Sequence, residues 1–215
     1  MKKKSTEEKM NNFSVALGLF DYINPILYGI TTFTIAKNMH GVMAPPVFVI
    51  YLIGAVISLI FGLTIPTVKF IVGLGIMQFK MPVNLVFYVN SGILISGLML
   101  FYTVIAPRGV IFALMLLVVL AVLALIYFKT KKFNTVAVLT GAAGYLMIYA
   151  TMITLCLRTG HTVSVALFAL AICLFVGLCL IGIRGNLKDA RVHWVIEVSN
   201  VLCQLCVAVG TILAF

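Results

Sequence analysis

The sequence contains few charged residues and very few acidic ones. Only 9% of its 215 residues are charged, and five Asp and Glu stand against fifteen Lys and Arg. Globular domains carry about 25% charged residues, so this composition excludes a soluble fold. With 63% hydrophobic residues and a mean hydropathy of +1.22, the chain is predicted to be an all-α membrane protein with several spans.

Further absences exclude other classes of protein. No polar stretch is long enough for a separate soluble domain. The net charge of +10 comes from basic residues at the ends of apolar runs, without interleaved aromatic residues, so nucleic acid is not an expected partner. The three histidines are scattered along the chain, and we expect neither a metal site nor a cofactor.

The cysteines are expected to be structural. All five lie in apolar segments, where a cysteine packs as a small apolar residue. Cys203 and Cys206 form a C-x-x-C motif, but no strand or βαβ pattern surrounds it. A redox role would require such a context.

Seven apolar segments are long enough to cross a bilayer, which takes about 20 residues. Spans 1 to 7 are predicted at residues 13–36, 45–65, 82–105, 109–128, 134–157, 161–183 and 191–214. Residues 1–12 form a charged tail, and span 1 is expected to be a retained helix because it is too long for a signal-peptide core. Thr67–Lys80 is predicted to be a helix extension followed by an interfacial turn, with a re-entrant segment as the alternative.

Basic residues are unequally divided between the two ends of the spans. With a cytoplasmic N-terminus, the inner side holds twelve Lys and Arg and the outer side holds Lys37, Arg108 and Arg158. The positive-inside rule therefore predicts an inner N-terminus and an outer C-terminus. The expected location is the plasma (inner) membrane. The odd number of spans agrees with this orientation.

Spans 1–3 resemble spans 5–7, which indicates an internal repeat. At one constant offset, span 1 aligns with span 5 at four positions: Tyr28, Lys37, His40 and Val42 with Tyr149, Arg158, His161 and Val163. In spans 2 and 6, SLIFGL (58–63) aligns with CLFVGL (173–178), and in spans 3 and 7 Tyr88 falls on Glu197. Span 4 has no strongly polar side chain and is expected to be a lipid-facing linker.

The repeat predicts two parallel three-helix units joined by a linker helix, a 3+1+3 plan. The first unit would comprise residues 13–105, the linker 106–130 and the second unit 131–215. An irregular seven-helix bundle is the alternative.

Two carboxylates, Asp21 and Glu197, stand inside apolar spans. Such a group is costly in a bilayer, so it usually faces a bundle interior or a wet cavity. Polar residues recur at helical spacing beside both carboxylates, and Pro25 predicts a kink in span 1. We therefore predict a solute-binding cavity between the repeats, formed by Asp21, Asn24, Tyr28, Tyr88, Asn90, Tyr149, Glu197, Asn200 and Gln204. Hydrogen bonding between helices is the alternative role for each polar side chain.

The plan resembles that of the SWEET sugar facilitators and PQ-loop proteins, and of the bacterial nicotinamide-riboside transporters. In the SWEET family one Asn in span 3 and one in span 7 flank the sugar, and Asn90 and Asn200 occupy comparable places. The resemblance thus implies solute binding by these two amides. Pro25 matches a family proline in the first span of a unit, whereas span 5 has none. Trp194 is the sole tryptophan, so the tryptophan-rich motif of the riboside transporters is missing.

The favoured function is an integral membrane transporter for a small polar or cationic solute. Amide side chains would hydrogen-bond the solute, and Tyr88 and Tyr149 would supply ring faces. Glu197 or Asp21 would bind positive charge or carry a coupling proton, because burial disfavours the charged form of a carboxylate.

Other classes stay open: a receptor or assembly partner, an intramembrane enzyme acting on a lipid, and a channel. A retinal Schiff base in span 7 is excluded because that span has no lysine. The predicted partners are a small solute and the lipid bilayer, and a homo-oligomer is left open.

Overall fold

The computed structural model of the chain describes residues 14–76, 83–107, 109–130, 133–184 and 190–215. In these residues all regular structure is helical, and the helices are α1 Val15–Asp21, α2 Ile23–Met39, α3 Pro45–Gly73, α4 Val83–Val104, α5 Gly109–Thr130, α6 Phe133–Thr159, α7 Thr162–Arg184 and α8 Ala190–Ala214. The predicted tail, residues 1–12, lies outside the described residues.

The helices coincide with the predicted spans. Only Tyr22 separates α1 from α2, and together they occupy span 1. Helices α3 to α8 occupy spans 2 to 7, so the described residues form seven helices when α1 and α2 are counted together. The prediction of an all-α fold is confirmed.

Among the described residues, five helical segments are long and apolar enough to cross a membrane. They are Pro45–Gly73, Asn84–Val104, Thr135–Thr159, Thr162–Ile181 and Trp194–Ala214. Their lengths of 20 to 29 residues meet the requirement of about 20 residues. The chain is therefore an integral membrane protein with several transmembrane helices.

Helix α3 is longer than its predicted span. It continues through Pro66 to Gly73, and a turn follows at Leu74–Ile76. The predicted helix extension after residue 66 is thus confirmed, whereas residues 77–80 of that segment lie outside the described residues. This extension carries Lys69 into the protein, where its side chain is buried.

Six helical rods form a closed ring. Around the ring the order is the α1–α2 rod, then α3, α4, α6, α7 and α8, which packs back against α1 and α2. Helix α5 packs against α6 and leaves apolar side chains such as Leu117 and Leu125 exposed. In the part of the chain that the structure describes, α5 lies outside this ring.

Small residues allow close backbone contact on one side of the ring. A side chain at Gly92 in α4 would begin 2.5 Å from the carbonyl oxygen of Gly54 in α3. A side chain at Gly144 in α6 would begin 2.6 Å from the backbone nitrogen of Leu94 in α4. Membrane helices that pack through small residues gain van der Waals contact between their backbones. We call the contact between α4 and α6 the glycine seam.

Candidate functional site: a buried ion cluster and its cavity

Span 1 is interrupted where Pro25 removes a backbone donor. Because proline has no N–H, the carbonyl of Asp21 cannot receive the usual bond from residue i+4. Helix α1 ends at Asp21, Tyr22 forms a turn, and α2 begins at Ile23 with Pro25 in its first turn. Proline is tolerated in a first turn. The helix is interrupted at Tyr22, three residues before Pro25, but the Tyr22 backbone keeps helical dihedral angles, φ −63° and ψ −24°. The kink itself stays a prediction.

Gly18 brings α1 into backbone contact with α3. A side chain at Gly18 would begin 2.8 Å from the backbone nitrogen of Phe70 and 3.2 Å from the carbonyl carbon of Lys69. Residues three apart share a helix face, so Gly18 and Asp21 both face α3. The hydroxyls of Tyr22 and Thr67 add a hydrogen bond of 2.7 Å between these segments. Together these contacts hold Asp21 beside Lys69.

Lys69 joins the two carboxylates that the sequence places 176 positions apart. Its Nζ lies 2.6 Å from Oδ2 of Asp21 and 2.8 Å from Oε1 of Glu197. The Nδ2 of Asn24 donates to the other oxygen of each carboxylate, Oδ1 of Asp21 and Oε2 of Glu197, both at 3.3 Å. We call these four residues the ion cluster.

The ion cluster is buried and connects three parts of the ring. Its side chains come from the α1–α2 rod, from α3 and from α8. The exposed fraction of its residues does not exceed 8%. Charges removed from water are stable only when they are paired and hydrogen-bonded, and here every carboxylate oxygen has a donor. We call the contact of α8 with the α1–α2 rod, together with the Lys69–Glu197 pair between α3 and α8, the ionic seam.

The formal charges of the ion cluster do not balance. One ammonium faces two carboxylates, so the ionised cluster carries one excess negative charge. In a low-dielectric interior such a charge attracts a proton or another cation. The cluster is therefore a place where a positive charge can be bound.

A cavity of about 240 Å³ adjoins the ion cluster in the interior of the ring. Six helices contribute to its wall, namely α1, α2, α3, α4, α6 and α8, with the polar side chains Asp21, Asn24, Tyr28, Ser58, Asn90, Tyr145, Asn200 and Gln204. A water molecule takes about 30 Å³ in the liquid, so the cavity has room for a small solute.

A layer of aromatic and amide side chains closes the cavity at the end away from Lys69. Tyr28, Tyr145 and Gln204 line both the cavity and a second void of about 10 Å³ beyond them. The Nε2 of Gln204 donates to the Tyr145 hydroxyl at 2.8 Å, and the hydroxyls of Tyr28 and Ser96 share a bond of 3.3 Å. The cavity thus lies between the ion cluster and a hydrogen-bonded tyrosine layer.

Six of the nine predicted site residues line this cavity: Asp21, Asn24, Tyr28, Asn90, Asn200 and Gln204. Glu197 joins them through Asn24 and Lys69. The Nδ2 of Asn90 donates to the carbonyl of Ala137 at 2.8 Å, so this amide also links α4 to α6. Asn200 is half-buried, and within the described residues its side chain makes no hydrogen bond.

The structure does not bring Tyr88 and Tyr149 to the cavity wall. Tyr88 is 45% exposed, and its ring lies 4.9 Å from that of Phe61 on the outside of the ring. Tyr149 is fully buried and stacks on Tyr145 at 5.8 Å. Instead, Tyr145 presents the aromatic surface of this part of the cavity.

Lys69 is the charged site residue that the sequence pattern did not reveal, and Ser58 and Tyr145 of the cavity wall were likewise not predicted. Lys69 was counted with the basic residues at the inner ends of the spans. A signal does exist: Ser58, Gly62 and Pro66 precede it at steps of four and three, on one helical face. That face could be recognised only with the knowledge that α3 continues past Pro66.

Comparison with known proteins identifies no relative: no family model matches the chain, and neither a curated protein nor a solved structure matches it. The helices and the site by themselves define the class, an integral membrane protein of helices around a polar interior. The resemblance to the SWEET and PQ-loop families stays a prediction.

Proposed function

We propose that the protein is a membrane transporter that moves a small polar or cationic solute through its central cavity. The observation that carries this proposal is a cavity with polar walls inside a ring of apolar helices, next to a buried ion cluster. Charged and polar side chains within a membrane interior usually mark a path for a solute or an ion. Sites between the two halves of a chain are typical of small transporters.

The order of helices in the ring supports the 3+1+3 plan. Suppose that spans 1–3 are equivalent to spans 5–7. The contact of α4 (span 3) with α6 (span 5) then corresponds to the contact of α8 (span 7) with the α1–α2 rod (span 1). Both contacts are present, and α5 lies outside the ring against α6. The two units would then meet at two seams, the glycine seam and the ionic seam.

The two seams suit different tasks in transport. At the glycine seam backbones touch, so little movement is possible without loss of packing. At the ionic seam, side chains join the units through bonds that a proton or a bound cation can weaken. We infer that the units rock about the glycine seam while the ionic seam opens and closes.

Proton coupling through Glu197 follows from the charge of the cluster. A proton on Glu197 would cancel the excess negative charge and weaken its bond to Lys69. The link between α8 and α3 would loosen, whereas the pair of Lys69 with Asp21 would persist. Protonation would thus favour opening of the ionic seam.

Uptake of small polar or cationic solutes into proteoliposomes with an imposed pH gradient tests this function. Glu197→Gln keeps the size of the side chain and removes its charge, so we expect uptake to lose its dependence on the pH gradient. Glu8→Gln, the same change in the predicted tail, serves as the control and should behave as wild type. Unchanged pH-dependent uptake by Glu197→Gln would rule out this coupling.

The predicted orientation belongs to the same proposal. An inner N-terminus places the Lys69 end of the ring towards the cytoplasm and the tyrosine layer towards the outside. In the plasma (inner) membrane, the ion cluster would then lie on the cytoplasmic side of the cavity.

A further inference from the structure

We propose that the cavity binds a small organic cation with N–H donors, a primary ammonium or guanidinium compound, and that Lys69 competes with this ligand for Asp21. The inference names the solute class and therefore rests on the proposed transport function. Three independent features of the cavity wall point to such a ligand: its charge, its unpaired acceptors and its aromatic surface.

The charge of the wall selects a cation. Among the described side chains that line the cavity, Asp21 is the one formally charged group, and it is negative. Lys69 reaches Asp21 without lining the cavity itself. A solute inside the cavity therefore meets a carboxylate and no cation, so an anion would be repelled and a cation attracted.

Two residues of the wall carry a buried oxygen that lacks a donor. Asn24 Oδ1 and Gln204 Oε1 are buried and have no hydrogen-bond partner in the described structure. Asn24 is 8% exposed and Gln204 3% exposed, and both residues line the cavity. A buried acceptor without a donor costs about 1–3 kcal/mol. Both atoms accept and cannot donate, and both have essentially no accessible surface. A ligand with N–H groups would satisfy them once the two amide groups turn towards the cavity.

The two prolines Pro25 and Pro66 leave backbone acceptors near the same place. Pro66 has no N–H for the carbonyl of Gly62, and Gly62 and Pro66 both lie on the cavity wall. Pro25, also on the wall, withholds its donor from the carbonyl of Asp21. In a membrane, freed carbonyls of this kind are tolerated where they face a cavity or a polar partner. The wall is thus rich in acceptors.

The aromatic surface suits an organic cation of modest size. Tyr28 and Tyr145 line the cavity, and ring faces attract ammonium and guanidinium groups. A quaternary ammonium ion would gain this attraction but would leave the acceptors of Asn24 and Gln204 unpaired. A primary amine satisfies both requirements.

The ammonium group of Lys69 binds carboxylates in the same way as we expect of the ligand. Its primary ammonium already binds Asp21 at 2.6 Å and Glu197 at 2.8 Å. A ligand ammonium that approaches Asp21 from the cavity would share or take over that carboxylate. Binding of the ligand would then weaken the ion cluster, which connects solute binding to the ionic seam.

The test measures binding of n-propylammonium to the full chain in detergent by calorimetry, beside tetramethylammonium, n-propanol and propionate. We expect propylammonium to bind most tightly.

Lys69→Ala removes the competing ammonium, so the dissociation constant for propylammonium should fall about tenfold, as for a change of about 1.4 kcal/mol. Lys37→Ala, at an exposed lysine of α2, should bind as wild type. Gln204→Leu should bind more weakly.

Equal binding of propanol or propionate, or equal affinities in Lys69→Ala and Lys37→Ala, would overturn the proposal. If Lys69→Ala does not fold, Lys69→Ala combined with Glu197→Gln keeps the formal charge of the cluster, because it removes one charge of each sign. The same gain in affinity is expected for that double variant.

An uptake assay with the same four compounds separates this inference from the transport function. Binding of propylammonium without uptake would support the cation site and contradict transport. Uptake of propionate but not of the amine, beyond the uptake by protein-free liposomes, would support transport and contradict the ligand class. Uptake of propylammonium that Gln204→Leu reduces would support both.

Discussion

At the scale of single residues, Lys69 decides how the two buried carboxylates are stabilised. A lone carboxylate in a membrane interior is costly, and here one ammonium serves two of them. Asn24 completes the arrangement because its amide donates to both acids. The remaining oxygen of that amide is left for another partner.

Replacement of Lys69 should destabilise the protein strongly. Lys69→Met leaves two buried carboxylates without a cation, and loss of one partner of a buried pair costs about 3–5 kcal/mol. Lys69→Met combined with Asp21→Asn and Glu197→Gln removes all three charges, so most of the stability should return. The free energy of unfolding in detergent can be followed by the fluorescence of Trp194.

Trp194 is well placed for this measurement. It is the one tryptophan of the chain, and its ring lies 5.7 Å from that of Phe20, across the ionic seam. Its emission should change when the ionic seam opens. If Lys69→Met were as stable as the triple variant, the unpaired carboxylates would not be the cause of any loss of stability.

At the scale of helices, proline and glycine determine which segments meet. Pro25 separates α1 from α2, and Pro66 lies inside α3 on the cavity wall. Gly144 allows α6 to touch the backbone of α4, whereas Gly177 in α7 has open space around it. Close packing therefore requires glycine at position 144 and not at position 177.

A methyl group at Gly144 should disturb the glycine seam. Its Cβ would begin 2.6 Å from the backbone nitrogen of Leu94, which cannot move away as a side chain could. Overpacking of this kind costs about 1–3 kcal/mol, so Gly144→Ala should lower the unfolding temperature. Gly177→Ala is the matched control and should cause no loss; equal effects of the two variants would contradict a seam of backbone contact.

At the scale of the whole molecule, the ring encloses a polar interior within an apolar exterior. Exposed side chains such as Phe33, Ile60 and Leu157 cover the outside, as expected of a surface that faces lipid. The ion cluster lies beside one end of the cavity and the tyrosine layer lies at the other. This arrangement is what a solute carrier would need.

The orientation of the chain can be measured directly. An odd number of spans and the bias of basic residues predict an inner N-terminus and an outer C-terminus. Alkaline phosphatase fused after Phe215 should therefore be active, and green fluorescent protein at the same position should be dark. The opposite pattern would place the ion cluster at the outer end of the cavity.

Much of the site could be predicted from the sequence because helical spacing is a local property. Asp21, Asn24 and Tyr28 share a face in any helix, and so do Glu197, Asn200 and Gln204. Tyr88 and Tyr149 obey the same spacing, yet one faces outwards and the other packs in the core. Spacing identifies a face, but not what that face meets.

The sequence by itself determined the membrane class, the helical segments and the break in span 1, because hydropathy, helix length and proline chemistry act within one segment. Only the tertiary structure decided that Asp21 and Glu197 share Lys69, 48 and 128 positions away from it. That meeting depends on the backbone contact at Gly18 and on the continuation of α3 past Pro66. Contacts between distant helices are set by packing, which no single segment contains.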